Sequence, residues 1–124
     1  VVAGNGTAGF SPSMLNFPLG LFVTSNLDMY VADFANNRIQ FFQFGQLNAT
    51  TVVGKGSNRS IALHLPSDIT MDADNYFYFV DHGNSRIIRL TPEDEQCIVG
   101  CTGSSGAAAN QLVSPVALDF DSQG

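Results

Sequence analysis

Charge is scarce in this sequence. Only 13% of the 124 residues are Asp, Glu, Lys or Arg, about half the usual share. There is one lysine, Lys55, beside four arginines, and the formal net charge is −6. A nucleic-acid binder needs basic groups to displace phosphate counterions, and this balance repels phosphate instead, so no nucleic-acid partner is expected. Long apolar runs are also missing. The longest, such as LGLFV, are strand-sized and far short of the roughly 20 residues that span a bilayer as a helix, so no direct membrane contact is expected. The glycine-rich loops lack GxxxxGK[ST] and a following helix, which excludes a phosphate cradle, and no cofactor is expected. There is no initiator Met, and the last residues, DSQG, form a turn sequence. We read the chain as a piece of a longer protein, in which a signal peptide would not be visible.

What is present is repetition. VVAGNGTAGF, TVVGKGSNRS and CIVGCTGSSG each write a β-rich pair, a glycine and a loose polar run. Sliding the chain by 48 residues lays residues 15–42, LNFPLGLFVTSNLDMYVADFANNRIQFF, without a gap on residues 63–90, LHLPSDITMDADNYFYFVDHGNSRIIRL. Pro18 then meets Pro66, Tyr30 meets Tyr78, Asp33 meets Asp81, Asn36 meets Asn84 and Arg38 meets Arg86. A third copy begins at Leu112, with Pro115 lying 49 residues after Pro66. Each unit predicts four short strands: residues 21–24 or 69–72, then MYVAD or YFYFVD, then RIQFF or RIIRL, then TTVVG or QCIVG. They are rich in Val, Ile, Phe and Tyr, and no long 3.6-residue period competes. The prolines stand just before the first strand, where a missing N–H costs the ladder nothing. The loops FANN and HGNS hold residues that tolerate positive φ. Four strands every 40–50 residues is the mark of a β-propeller blade.

YVADFANNRIQFF, preceded by Pro-x-Gly and an apolar strand, resembles the NHL repeat. The second copy departs from it at PSD and at Val80. The fold class expected is all-β, a propeller fragment of four-stranded antiparallel blades. It divides into an outer strand and inter-blade loop at 1–17, blades with their following loops at 18–65 and 66–114, and the first strand of a further blade at 115–124. The resemblance implies a parent ring of about six blades, and those remaining blades are themselves expected partners.

Asp33 with Arg38, and Asp81 with Arg86, recur at one place in each blade. A catalytic group is needed once per ring and a structural one once per blade, so both pairs read as fasteners of the turn between the second and third strands. His64 and His82 do not recur, since Asn16 and Phe34 hold the matching places. A metal needs several converging N or S ligands, and two histidines in unlike loops do not supply them, so no metal site is expected. Asp72, Asp74 and Asn75 spell DADN, but the glycine and distal glutamate of a calcium loop are absent and a hairpin turn accounts for them. PEDEQ, residues 92–96, reads as the exposed turn between the third and fourth strands.

Cys97 and Cys101 are the only cysteines. In an extended strand their Cα atoms would stand about 13 Å apart, whereas a disulfide needs less than about 7 Å. A bridge therefore requires a bend, which Gly100 offers; two free thiols, or pairing with cysteines elsewhere in a longer chain, remain the alternatives. The resemblance favours the bridge, because extracellular NHL-repeat chains carry paired cysteines. Asn5, Asn48 and Asn58 open N-x-[ST] tripeptides in predicted loops, the acceptor pattern for N-glycans. Cysteines, sequons and scarce lysine together indicate an extracellular or secreted setting.

The function expected is a non-catalytic binding scaffold for an unknown protein or glycan partner, within a larger extracellular protein. Propellers of this family imply docking on the face made by the loops between second and third strands, which here carries Phe34, Asn36, His82 and Asn84. The resemblance also implies an enzyme alternative, a metal-dependent peptide-amidating lyase or lactone hydrolase. Intracellular RNA binding, known for some NHL proteins, conflicts with the charge.

Overall fold

A computed structural model describes residues 3–59 and 61–101. The third repeat copy, its strand at 115–124 and the loop at 102–114 lie outside the described residues, as does the VV pair that opens the chain. The described part of 1–17 holds an isolated parallel bridge between Ala8 and Leu15 rather than a strand.

Two four-stranded antiparallel sheets follow in chain order. The first holds β1 (Pro18–Val23), β2 (Met29–Asp33), β3 (Arg38–Phe42) and β4 (Thr50–Gly54). The second holds β5 (Pro66–Met71), β6 (Phe77–Asp81), β7 (Arg86–Leu90) and β8 (Glu95–Val99). In each, neighbours in space are neighbours in sequence, so every connection is a short hairpin. Short 3-10 turns at Phe34–Asn36 and His82–Asn84 join the second strand of each sheet to the third. The chain forms two antiparallel β-propeller blades.

The first strand of each blade starts three residues earlier than the pattern suggested. Pro18 pairs with Asp33 and Pro66 with Asp81, each ahead of a register shift that absorbs one residue. The prolines are thus the first residues of β1 and β5, still a place where no N–H is demanded. Glu95, expected in a turn, instead opens β8, and Gln96 lies in that strand as QCIVG suggested; the turn is confined to Thr91–Asp94, closed by Thr91 N–H donating to the Asp94 carbonyl at 2.8 Å.

The 48-residue period extends to backbone conformation. Left-handed φ recurs in pairs one repeat apart: Phe17 and Leu65 (56° and 55°), Leu27 and Asn75 (67° and 65°), Asn37 and Ser85 (56° and 52°). Asn tolerates this region; a branched apolar residue is strained there. Leu27 holds the conformation while 53% exposed, so it gains little from burial in return. Leu27→Asn is therefore expected to raise stability by roughly 0.5–1 kcal/mol, read as an increased urea midpoint at constant m-value. An unchanged or lowered midpoint would mean that Leu27 makes a compensating contact.

The core lies between the blades. Ala32, Ile39 and Val53 from the first pack on Ile69, Phe79, Ile88 and Leu90 from the second, with Leu63 from the connecting loop. Tyr30 and Phe77 close one end with ring centroids 4.2 Å apart. Gly20 lets β5 approach: a Cβ there would sit 2.7 Å from the Ser67 carbonyl oxygen. Its repeat counterpart is Asp68, so this departure from Pro-x-Gly has a spatial meaning. The opposite face of β1 is bare. Leu19 and Leu21 are 48% and 57% exposed, whereas their counterparts Ser67 and Ile69, covered by the first blade, are each 3% exposed.

Candidate functional site

Strand direction sets two ends on the blade pair. One carries the turns between β2 and β3 and between β6 and β7, together with the loop that enters each blade. There Asp33 and Asp81, the last residues of β2 and β6, are both fully buried, and their carboxylates organise the end identically. Asp33 Oδ1 accepts the Asn16 N–H at 2.7 Å; Oδ2 accepts Asn36 Nδ2 at 2.9 Å and Arg38 Nε at 2.8 Å. Asp81 Oδ1 accepts the His64 N–H at 2.7 Å; Oδ2 accepts Asn84 Nδ2 at 2.9 Å and Arg86 Nε at 2.8 Å. These are charge-assisted bonds in a dry setting, the stronger kind. They hold the 3-10 turn, the third strand and the entering loop to one point.

Arg38 extends the clamp. Its other guanidinium nitrogens donate to the carbonyls of Phe10, Ser11 and Met14 at 2.7–3.3 Å, and it lies 4.2 Å from the Phe10 ring centroid. Among the described residues, Arg86 reaches one carbonyl, that of Ala62, at 2.8 Å. Next to Arg38, Asn37 ties the blades together, its Oδ1 accepting the Leu65 N–H at 2.8 Å. The Asn36 amide also donates to the Gly9 carbonyl at 2.6 Å. The amides of Asn36 and Asn84 are therefore engaged in holding the turns.

Above this network lies a row of rings. Phe17 stands 5.8 Å from Phe34, and Phe34 stands 5.9 Å from His82 across the blade boundary. Phe17 is 63% exposed. His64 belongs to the same corner, since its carbonyl accepts the Gly83 N–H at 2.7 Å; the two histidine-bearing loops, unlike in sequence, meet in space. Phe17 escaped the sequence reading. The available signal was an apolar residue before the blade-opening proline in both repeats, where the right-handed helical region is disfavoured.

DADN is a turn held by its first aspartate. Asp72 Oδ1 accepts the N–H groups of Asp74 and Tyr76, and Oδ2 accepts the Tyr78 hydroxyl, at 2.9–3.0 Å. Loss of hydration pushes the Asp72 carboxyl up, but these bonds and nearby Arg89 outweigh it and lower its pKa. Among the described residues, no group of three or more His, Cys, Asp or Glu side chains converges as metal ligands. Cys97 and Cys101 form a disulfide with Cα atoms 5.6 Å apart, and Gly100 takes the bend at φ 75°. Such bonds persist in oxidising compartments. Asn5, Asn48 and Asn58 are all exposed. Asn5 is engaged locally, donating to Ser13 Oγ at 3.3 Å and accepting the Thr7 N–H at 2.9 Å.

No protein-family model and no curated protein matches the chain. Solved structures do. The chain is similar over 64% of its length to the selenomethionine-substituted virginiamycin B lyase from Staphylococcus aureus, covering 26% of that chain at 15% identity with a TM-score of 0.51. A catalytically inactive variant of the Staphylococcus aureus lyase with quinupristin aligns at 24% identity over 70% of this chain and 28% of that one, TM-score 0.49. A streptogramin B lyase aligns at 21% identity over 64% and 25%, TM-score 0.48. The chain thus spans about a quarter of the length of these lyases, and the shared feature is the propeller fold. These neighbours correct one expectation. The sequence reading assigned no catalysis, yet a solved protein sharing this fold is a lyase, so the architecture is one that carries an enzyme.

Proposed function

We propose that this chain is a pair of consecutive blades in a larger propeller of the NHL type, and that the end bearing Phe17, Phe34 and His82 receives the ligand of that ring. The observation that carries the reading is the ring row itself. It crosses the blade boundary, and its first member is a large apolar ring left 63% exposed, which folding alone does not favour. The bare face of β1 supports the larger ring, because the same face of β5 is covered by a blade. Aromatic rings suit a ligand that presents its own rings or apolar chain.

Virginiamycin B is the first probe to try, because a lyase of the same fold is named for it; a panel of oligosaccharides and short peptides follows. At least one compound is expected to raise Tm, with the shift lost in the Phe34→Ala/His82→Ala double variant. Shifts that persist in that variant would remove the basis of the reading. A second reading, favoured by the lyase neighbour, is that the ring also transforms what it binds, with reacting groups on further blades. Mass spectrometry of the bound compound after incubation separates turnover from binding.

The disulfide and the three sequons support an extracellular setting. Intact mass of the natively expressed protein, alkylated without reductant and compared before and after deglycosylation, is expected to show glycan at one or more of Asn5, Asn48 and Asn58 and no alkylation of Cys97 or Cys101. A bare chain with two alkylated thiols would contradict it.

A further inference from the structure

The opposite end of the blade pair has a different character. Here the turns from β1 to β2 and from β3 to β4 carry Leu27, Phe44 and Leu47, respectively 53%, 65% and 50% exposed. The two turns are tied, Asp28 Oδ1 accepting the Phe44 N–H at 2.8 Å. The repeat supplies an internal control. The second blade forms the corresponding turns with Asn75 and with Pro92, Glu93 and Asp94, so the turns themselves do not require apolar side chains.

Beside the second-blade turns, and lined by residues of both blades, lies a cavity of about 150 Å³. Tyr30, Phe77, Val52 and Leu90 supply its apolar wall, and Arg59 and Asn75 stand among its lining residues. Its volume suits one apolar side chain or a benzene-sized ring. The guanidinium of Arg59 is already committed, to Glu95 at 3.0 Å and to the Thr91 carbonyl at 3.2 Å. Asp74, Glu93 and Asp94 are all exposed on the second-blade side. This end therefore carries apolar turns on the first blade, a cavity lined by both blades and acidic turns on the second.

We propose that this end is a docking site for a protein segment that inserts one apolar side chain into the cavity and sets Lys or Arg residues against the acidic turns. Charge complementarity selects this occupant. An anionic membrane surface would be repelled by the same carboxylates, and a second copy of this acidic chain would bring like charge to like. The site is separate from the ring row, which lies at the other end of the strands.

The test is a random heptapeptide library displayed on phage and panned against the full-length protein. Enrichment of sequences with one Leu, Met or aromatic residue flanked by Lys or Arg is expected. A synthetic peptide of the enriched sequence should bind at least about tenfold more weakly to Leu27→Asn/Phe44→Ser and to Glu93→Lys/Asp94→Lys. All four positions are exposed turn residues, and far-UV circular dichroism with the urea midpoint verifies that both variants fold. No enrichment, an enriched sequence without basic residues, or binding to either variant as tight as to the parent protein overturns the proposal. So does self-association, or binding to phosphatidylserine vesicles, that the same substitutions abolish.

Discussion

Asp33→Ala is expected to cost about 3–5 kcal/mol, the loss typical of stranding one member of a buried ion pair. Asp33 is fully buried and Arg38 is 2% exposed. Removing the carboxylate leaves the guanidinium in a dry site among neutral partners, three backbone carbonyls and the Phe10 ring, and leaves the Asn16 N–H and the Asn36 amide short of an acceptor. The repeat makes the experiment internally controlled. Asp81 accepts the same three kinds of donor, but the Arg86 side chain is 24% exposed and can be rehydrated when its partner is lost. Asp81→Ala should therefore cost less, about 1–3 kcal/mol. Urea unfolding of both variants measures the difference. Equal losses would show that the shared turn geometry, rather than the burial of the cation, sets the cost.

Gly54→Ala is expected to lose about 2–4 kcal/mol through backbone strain and overpacking together. Gly54 ends β4 at φ 98°, and a Cβ there would run into the Asn37 carbonyl oxygen and lie 2.8 Å from the Arg38 Cα. These neighbours are backbone, held by the Asp33 clamp and by the Lys55 N–H donating to the Asn37 carbonyl at 3.1 Å, so they cannot step aside cheaply. Gly45 is the control. It has a similar φ of 81°, and a Cβ added there would meet nothing within 4 Å, so Gly45→Ala should cost only about 1 kcal/mol. Thermal unfolding of the two variants side by side distinguishes steric conflict from left-handed strain; equal shifts would assign the whole effect to backbone conformation.

The lyase-like neighbours alter how the ring row is to be tested. A binding scaffold and an enzyme both need a surface that holds a ligand, and under the proposal made above substitution of Phe34 and His82 is expected to remove that surface in either case. Chemistry, by contrast, needs groups that act once per ring, whereas the described residues carry their carboxylate–arginine pairs once per blade. Turnover and binding must therefore be read separately in the complete protein.

Several features follow from sequence alone. Strand order, hairpin connection and the register of β2 against β3 come from the 48-residue offset and from the spacing of Asp33 to Arg38 and Asp81 to Arg86, because these are local. So short a loop between strand ends leaves little choice of partner, and alternating apolar residues decide which face turns inward. The bend at Gly100 is local in the same way, but from the residues alone free thiols or a distant partner stayed open, and the structure decides for the Cys97–Cys101 bridge.

Other features came only with the packed blades. The sequence does not distinguish Leu21 from Ile69, yet one is exposed and the other buried, because burial depends on whether a blade lies in front. Asn36 and Asn84 look like loop residues open to a ligand, and the positions of Gly9, Asp33 and Asp81 are needed to see their amides engaged. Phe17 takes positive φ against its own preference, as its repeat counterpart Leu65 does, so no propensity could announce it. The cavity lined by Tyr30 and Phe77 is likewise made by strands of both blades, β2 and β4 with β6 and β7, that lie far apart in sequence. Local patterning determines which strands form and how each blade is strung, because its energies act between neighbours in sequence. Exposure and empty space arise where one blade meets the next, and only tertiary contact decides them.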